Sequence, residues 1–366
     1  MNDTMPRSRI EEKLSKHKED LMGESVSKIM EFNKRPIEIK EYLDQYIIGQ
    51  DEGKKVLATA IAFHYKRLGT AMKKEIETNG GDIAKALKNI ETPKANIMLI
   101  GPSGVGKTYT SEIASDIIGV PFVKQDMTKF SETGYVGQNV TDILIDLYVS
   151  ADENPFLAQT GIVYLDEIDK ISGSAVVGRD VSGKGVQNGL LKIVEGQENR
   201  VGDAGLMLST KNVLFIASGA FEGVERVVEN RLRRQKVEQK RNWKSYLSTE
   251  DLVDYGMERQ LMGRFPVKVV YDQLTSRNLF DIMKTCKKSP LHSYQSDFKA
   301  WDIDLQIEDD ALSEIARFAE VEGTGARGLT GILNKVLLEE MYTLPGSYQG
   351  ELKIGKDYVT RRLQNE

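Results

Sequence analysis

The sequence predicts an α/β protein: a parallel sheet sandwiched by helices, joined to a small, mainly helical C-terminal domain. Three observations predict it. Short apolar runs recur with helical segments between them, at Ile97 to Ile100, Pro121 to Val123, Ile162 to Leu165, Val213 to Ala217 and Val267 to Tyr271. That alternation suits strands buried on both faces and linked by crossover helices. From Thr275 on, the spacing turns helical, with Leu312, Ile315, Ala316 and Ala319 on one stripe and Leu329, Ile332, Leu333, Val336 and Leu337 on the next. Finally, 366 residues is long for one domain and suggests two or three.

The elements follow in order. Residues 1–34 are charge-rich, but Leu14, Leu21, Met22, Val26, Ile29 and Met30 fit one helical face, so a helical extension outside the core is expected over 1–35. Pro36 is placed to open a helix that runs through Leu43 and stops at Gly49; a longer one follows through Val56, Ile61, His64 and Leu68. The stretch 78–93, with Asn79, Gly80 and Gly81, reads as a surface loop.

Composition narrows the class. A hydrophobic content of 40% with 29% charged residues is that of a soluble globular chain, and no apolar run nears the ~20 residues of a membrane span. The first residues have no apolar core for a secretory signal, so a cytoplasmic location is expected. The single Cys286 excludes an intrachain disulfide framework, and His17, His64 and His292 are too scattered for a local metal site. A core thiol and core histidines are expected instead. A net charge of −5 argues against a surface built for nucleic acid.

The chemistry starts at Gly101-Pro102-Ser103-Gly104-Val105-Gly106-Lys107-Thr108, which matches G-x-x-x-x-G-K-[ST] between an apolar run and a helical stretch. Gly104, Val105, Gly106 and Tyr109 bring backbone N–H groups around phosphates. Lys107 offsets their charge, and the Thr108 hydroxyl is placed for Mg²⁺. Ile162 to Leu165 ends in Asp166-Glu167. Asp166 would hold the Mg²⁺ shell and Glu167 would polarise the attacking water. ATP and Mg²⁺ are therefore the expected cofactors.

Several further stretches resemble the Clp/Hsp100 unfoldases of the AAA+ class, with a ClpX-like core and some HslU-like segments, over roughly 36–363. The resemblance implies a large AAA+ ATPase domain over 36–272 and a small one over 273–366. Asp44-Gln45-Tyr46-Ile47-Ile48-Gly49-Gln50 resembles the segment that packs Ile47 and Ile48 on the adenine. Leu261-Met262-Gly263-Arg264-Phe265-Pro266 resembles the arginine-finger segment, implying that Arg264 reaches the γ-phosphate in a neighbouring subunit. Gly325-Ala326-Arg327-Gly328 resembles the second sensor, with Arg327 on ATP of its own subunit. Ser218 is similar in place to a first sensor, although a small residue at a strand exit has the same look. Gly134-Tyr135-Val136-Gly137 resembles the loop that lines the pore of a hexameric ring and grips the protein substrate, and a second pore loop is expected over 172–182.

The departures carry expectations too. The four cysteines of a ClpX-type zinc domain are absent, and only 150–161 stands where HslU carries a long insertion. The stretch 224–255 has neither glycine nor isoleucine for a peptidase-docking tripeptide, and Leu363-Gln364-Asn365-Glu366 is no apolar tail, so docking to the usual peptidases is not expected. Residues 225–244 hold eight basic against three acidic residues, readable as nucleic-acid contact or as a solvated helix. The leading function is a hexameric, ATP-driven protein unfoldase; a nucleic-acid motor and a slow nucleotide switch for assembly remain open.

Overall fold

Three of the expected runs have no polar side chain to show to solvent, and all three are central strands of one sheet. The computed structural model describes residues 26–78, 83–90, 93–130, 138–173, 183–202, 205–236 and 242–364. The order begins with α1 (26–30), α2 (Pro36–Asp44), α3 (Asp51–Thr78), α4 (Ile83–Asn89), β1 (Ile97–Ile100), α5 (Lys107–Ile118) and β2 (Phe122–Asp126). It continues with α6 (Asp142–Ser150), α7 (Pro155–Ala158), β3 (Ile162–Asp166), α8 (Gly183–Val194), β4 (Glu198–Val201), β5 (Leu206–Ser209) and β6 (Leu214–Gly219). Then come α9 (Val224–Arg234), α10 (Thr249–Asp254), α11 (Arg259–Gly263) and β7 (Val267–Val270). The chain ends with α12 (Ser276–Thr285), α13 (Pro290–Lys299), β8 (Ile303–Ile307), α14 (Asp309–Glu322), α15 (Ala326–Thr343), β9 (Gly350–Ile354) and α16 (Lys356–Gln364).

By their contacts the residues fall into two units. The first comprises 1–39, 55–100 and 111–269; the second comprises 40–54, 101–110 and 270–366. The first unit is built on the sheet β2-β3-β6-β1-β7, in which β2–β3, β3–β6 and β1–β6 pair in parallel. β1 and β6 are buried at every residue, as continuous apolar runs in a covered parallel sheet should be. β2 runs on to Asp126 with an alternating burial pattern, so the sheet-edge part of that strand was hidden from a search for apolar runs.

Two expectations for this unit are corrected. The stretch 78–93 is not a plain loop: Ala86 and Leu87 of α4 and Ile90 just after it are buried, at the spacing of one helical stripe. The extension is not wholly outside the core either. Val26, Ile29 and Phe32 are buried, and a side chain at Gly69 would lie 2.3 Å from the Ile29 carbonyl oxygen, so the two backbones touch. His64 is fully buried and is a core histidine, with its Nε2 3.1 Å from the Asn212 carbonyl oxygen.

The second unit has the expected stripes, with Leu312, Ile315, Ala316 and Ala319 of α14 and Leu329 to Leu337 of α15 buried together. It also carries a parallel pair, β8 with β9, that the mainly helical reading omitted. Its sequence Ile-Asp-Leu-Gln-Ile alternates, and only Ile303 and Leu305 are buried. Cys286 is a buried thiol whose Sγ lies 3.3 Å from the Tyr46 carbonyl oxygen, and burial pushes its pKa up to about 11. His292, by contrast, is exposed and not a core residue.

Candidate active site

β1, β6 and β3 run parallel, so Ile100, Ser218 and Asp166 finish at one edge of the sheet, and from Ile100 the chain passes directly into Gly101. The loop after β1 is held within the second unit. Gly104 has φ +75°, and a Cβ there would stand 2.2 Å from the Thr324 carbonyl oxygen, which only a glycine permits. The contact is reciprocal: the Ala326 N–H donates to the Gly104 carbonyl at 2.9 Å, and Gly325, at φ +63°, abuts the same carbonyl. Arg327 Nη1 donates to Ser103 Oγ at 3.2 Å, so the second-sensor candidate sits on the phosphate-loop candidate. Lys107 is nearly buried and its ammonium donates to the Gly101 and Pro102 carbonyls at 2.6 and 2.7 Å, folding the loop around itself. Val105 is buried, while Thr108 and Tyr109 open α5.

The segment expected to meet the adenine is tied into the same unit. Gln50 Nε2 donates to the Asp272 carbonyl at 2.7 Å, and Gln50 Oε1 accepts the Asp272 N–H at 2.9 Å. Lys54 donates to the Ile47 carbonyl at 3.0 Å and pairs with Asp44. Ile47 is buried and Ile48 half-buried, so the two isoleucines have different surroundings.

In the first unit Asp166 is the hub. It accepts from Ser218 Oγ at 2.7 Å and pairs with Lys124 at 3.0 Å. Burial pushes its carboxyl up, but the Ser218 and Lys124 hydrogen bonds and the Lys124 charge outweigh this and hold it below the usual range. An ionised oxygen ligand is what a hard divalent ion requires, so the chemistry of Asp166 fits Mg²⁺. Glu167 is exposed and left-handed, at φ 56°, a strained conformation for a glutamate of the kind stored at functional sites. Ser218 is fully buried, and its hydroxyl is spent on Asp166. Sequence reasoning missed Lys124 and Asp169. Asp169 is buried and its carboxylate accepts from the Ala220 and Phe221 N–H groups at 3.2 and 3.3 Å, setting the exit of β6. The run Asp166-Glu167-Ile168-Asp169 was the only sign of it.

Arg264 caps α11 and its Nη2 meets Glu195 Oε1 at 2.6 Å. Tyr135, Val136 and 174–182 lie outside the described residues. The basic stretch 225–244 is in part an amphipathic helix: Val224, Val228 and Leu232 of α9 are buried. Arg231 is held by Asp251 at 2.7 and 2.9 Å and by the Tyr246 carbonyl at 2.7 Å, which removes it from the charges offered to a polyanion. No helix among the described residues is long and apolar enough to cross a membrane.

A strand–phosphate-loop–helix segment, together with an acid pair closing a second buried parallel strand, defines a nucleotide-hydrolysing ATPase of the AAA class, and the family model for the AAA domain (Cdc48 subfamily) matches residues 92–268. The likeness extends further. The ATP-dependent Clp protease ATP-binding subunit ClpX of Treponema denticola is 37% identical over 349 residues, 88% of this chain and 81% of its own length. The protein of the same name from Borrelia duttonii is 38% identical over 335 residues, covering 86% and 75% of the two chains. That from Bacteroides thetaiotaomicron is 35% identical over 352 residues, covering 90% and 82%. The chain belongs to the ClpX family, the ATP-dependent protein unfoldases of the AAA class.

Proposed function

We propose that the chain is one subunit of a hexameric ring that spends ATP to pull protein substrates through a central pore. The observation that carries this reading is the extent of the likeness: it covers 88% of the chain, so it takes in both units and not the ATPase core alone. Gly104, Val105, Gly106, Lys107, Thr108 and Tyr109 wrap the phosphates. The Lys107 ammonium, which now neutralises two loop carbonyls, transfers to the γ-phosphate, a stronger acceptor. Thr108 and Asp166 would hold Mg²⁺, which would supply charge neutralisation on the phosphates. Glu167 takes the proton of the attacking water, and Ser218 keeps Asp166 oriented. Ile47 and Ile48 meet the adenine, Arg327 reports the nucleotide to α15, and Arg264 serves the neighbouring subunit's γ-phosphate. Support for Arg327 is its bond to Ser103 and the backbone contact at Gly104.

Tyr135 and Val136 grip the substrate in this reading. The relatives are named as subunits of the Clp protease, yet we infer that this chain engages no Clp-type peptidase by a docking tripeptide. Among the described residues of 224–255 stand α9, a 3₁₀ turn at Trp243–Tyr246 and α10, with Arg231 clasping Asp251, and the sequence of the stretch supplies neither glycine nor isoleucine for such a tripeptide. ATP turnover measured with an unfolded protein, with duplex DNA and with neither tests the function. Stimulation by the unfolded protein alone is expected; stimulation by DNA alone refutes it. Co-elution with a Clp peptidase ring in ATP would refute the docking inference.

A further inference from the structure

Arg264 is not loose on its turn: Glu195, just past α8, holds its guanidinium and Asn96, just before β1, holds its carbonyl. α8 and α11 are fastened at both ends. At the start of α8, Gln187, with only 1% of its surface exposed, donates to the Ile171 carbonyl at 2.8 Å and accepts the Glu258 N–H at 2.7 Å, where Glu258 is the N-cap of α11. Lys184 pairs with Glu258 at 3.1 Å. At the other end, Lys94 donates to the Val194 carbonyl at 2.9 Å, and the next residue, Glu195, takes the Arg264 guanidinium at 2.6 Å. Asn96 then donates to the Arg264 carbonyl at 2.9 Å. The result is a cleft of about 350 Å³ lined by Lys94, Asn96, Glu195, Lys211 and Arg264.

In that cleft Glu195 is the acid among three cations. Burial, together with the Arg264 charge, lowers the Lys94 ammonium to about 7, which is the electrostatic mark of crowded positive charge. An arginine so placed turns toward whichever anion it meets, unless a fixed carboxylate takes part of its fork. A guanidinium has five N–H donors, and the Glu195 contact uses one from Nη2, so the pair restrains one side of the fork and leaves donors for a phosphate.

We propose that Glu195 is the positioning residue for Arg264, and that α8, pinned by Gln187, sets the finger's geometry toward the neighbouring subunit's γ-phosphate. The inference rests on the reading of Arg264 as a trans-acting finger. The Arg264 and Glu195 side chains are 51% and 27% exposed, so their pair contributes little to folding, and its loss should leave the subunit intact. Its effect appears at the transition state, where a guanidinium out of plane loses a charge-assisted contact.

The test uses full-length rings, with assembly checked by size exclusion in ATP. Glu195→Gln, which keeps the shape and removes the charge, is expected to lower kcat for ATP at least fivefold, with KM within twofold of wild type. Because the defect belongs to the neighbour's site, mixing Glu195→Gln subunits with Lys107→Ala subunits should recover hydrolysis at interfaces where an intact phosphate loop faces an intact Glu195–Arg264 pair. Arg264→Ala mixed with Lys107→Ala is the parallel arm. Recovery there without recovery for Glu195→Gln overturns the proposal and leaves the finger reading standing. Failure of recovery in both arms overturns the finger reading and the proposal with it. A Glu195→Gln ring turning over within twofold of wild type, beside an impaired Arg264→Ala ring, also overturns it. If Glu195→Gln rings do not assemble, Gln187→Glu, which turns the Glu258 N–H acceptor into a charged one and loses the donor to Ile171, is the second variant, with the same kcat and mixing outcomes deciding.

Discussion

Gly104→Ala tests the link between the phosphate loop and α15, and its cost can be worked from the geometry. At φ +75° an alanine is held in the left-handed region, at about 1–2 kcal/mol. Its Cβ would sit 2.2 Å from the Thr324 oxygen, a backbone atom with no rotamer to swing away, so one of the two segments must retreat by roughly 1 Å to reach ordinary contact. That retreat breaks the 2.9 Å bond from Ala326 N–H to the Gly104 carbonyl, about 1 kcal/mol more. The total, about 2–3 kcal/mol, corresponds to roughly 30- to 150-fold weaker nucleotide binding if the loop must keep this shape to wrap phosphates. Titration of a fluorescent ATP analogue measures it. Gly331→Ala is the control, since a Cβ at that position in α15 meets nothing within 4 Å and should stabilise the chain by about 0.5–1 kcal/mol. Affinity of Gly104→Ala within threefold of wild type would refute the reasoning.

Glu167→Gln should bind the ATP analogue as wild type does and hydrolyse ATP at least ~100-fold more slowly, as for a lost general base; hydrolysis within threefold of wild type counts against it. His64 is pushed down from 6.5 to about 4, by burial first, so the unfolded chain takes the proton at the higher pH. The stability this group protects is complete above pH 6.5 and is lost as pH falls toward 4, at about 1.4 kcal/mol per unit. Thermal unfolding of His64→Gln should therefore fall less steeply with acid than wild type, and equal slopes would remove His64 from the account. Asp251→Ala leaves Arg231 without its carboxylate and Ser248 without its capping partner, and should cost about 3 kcal/mol in urea unfolding. A loss below 1 kcal/mol would show that pair to be dispensable.

What could be read in the sequence, and what could not, divides by how local the signal is. Ile97–Ile100 and Leu214–Gly219 were legible because a strand buried on both faces can afford no polar outward side, and Gly104 and Gly106 because a phosphate loop demands left-handed backbone that glycine adopts at least cost. Ile303–Ile307 was lost since its alternation reads as neither an apolar run nor a helical stripe. The helix Ile83–Asn89 was lost because Asn79-Gly80-Gly81 dominated the composition around it. Glu195 and Asp169 were invisible for another reason: the partner of Glu195 stands 69 residues away and that of Asp169 51 residues away, and no spacing rule spans a pairing that only the closed sheet creates.

The unit holding the phosphate loop is assembled from 40–54, 101–110 and 270–366, and Ser103 waits for Arg327 across 224 residues of chain. On a ribosome extending the chain at about 5–20 residues per second, the loop emerges roughly 10–45 s before the helix that braces it. Through that interval Gly104 has no Thr324 to lean on, and the nascent chain cannot close its nucleotide site whatever ATP surrounds it. Newly made subunits therefore become competent to take fuel only once residues 324–327 have emerged and are free to fold back on the loop. A chain cut short before residue 324 would carry every residue of the phosphate motif and lack the surface against which that motif takes its shape.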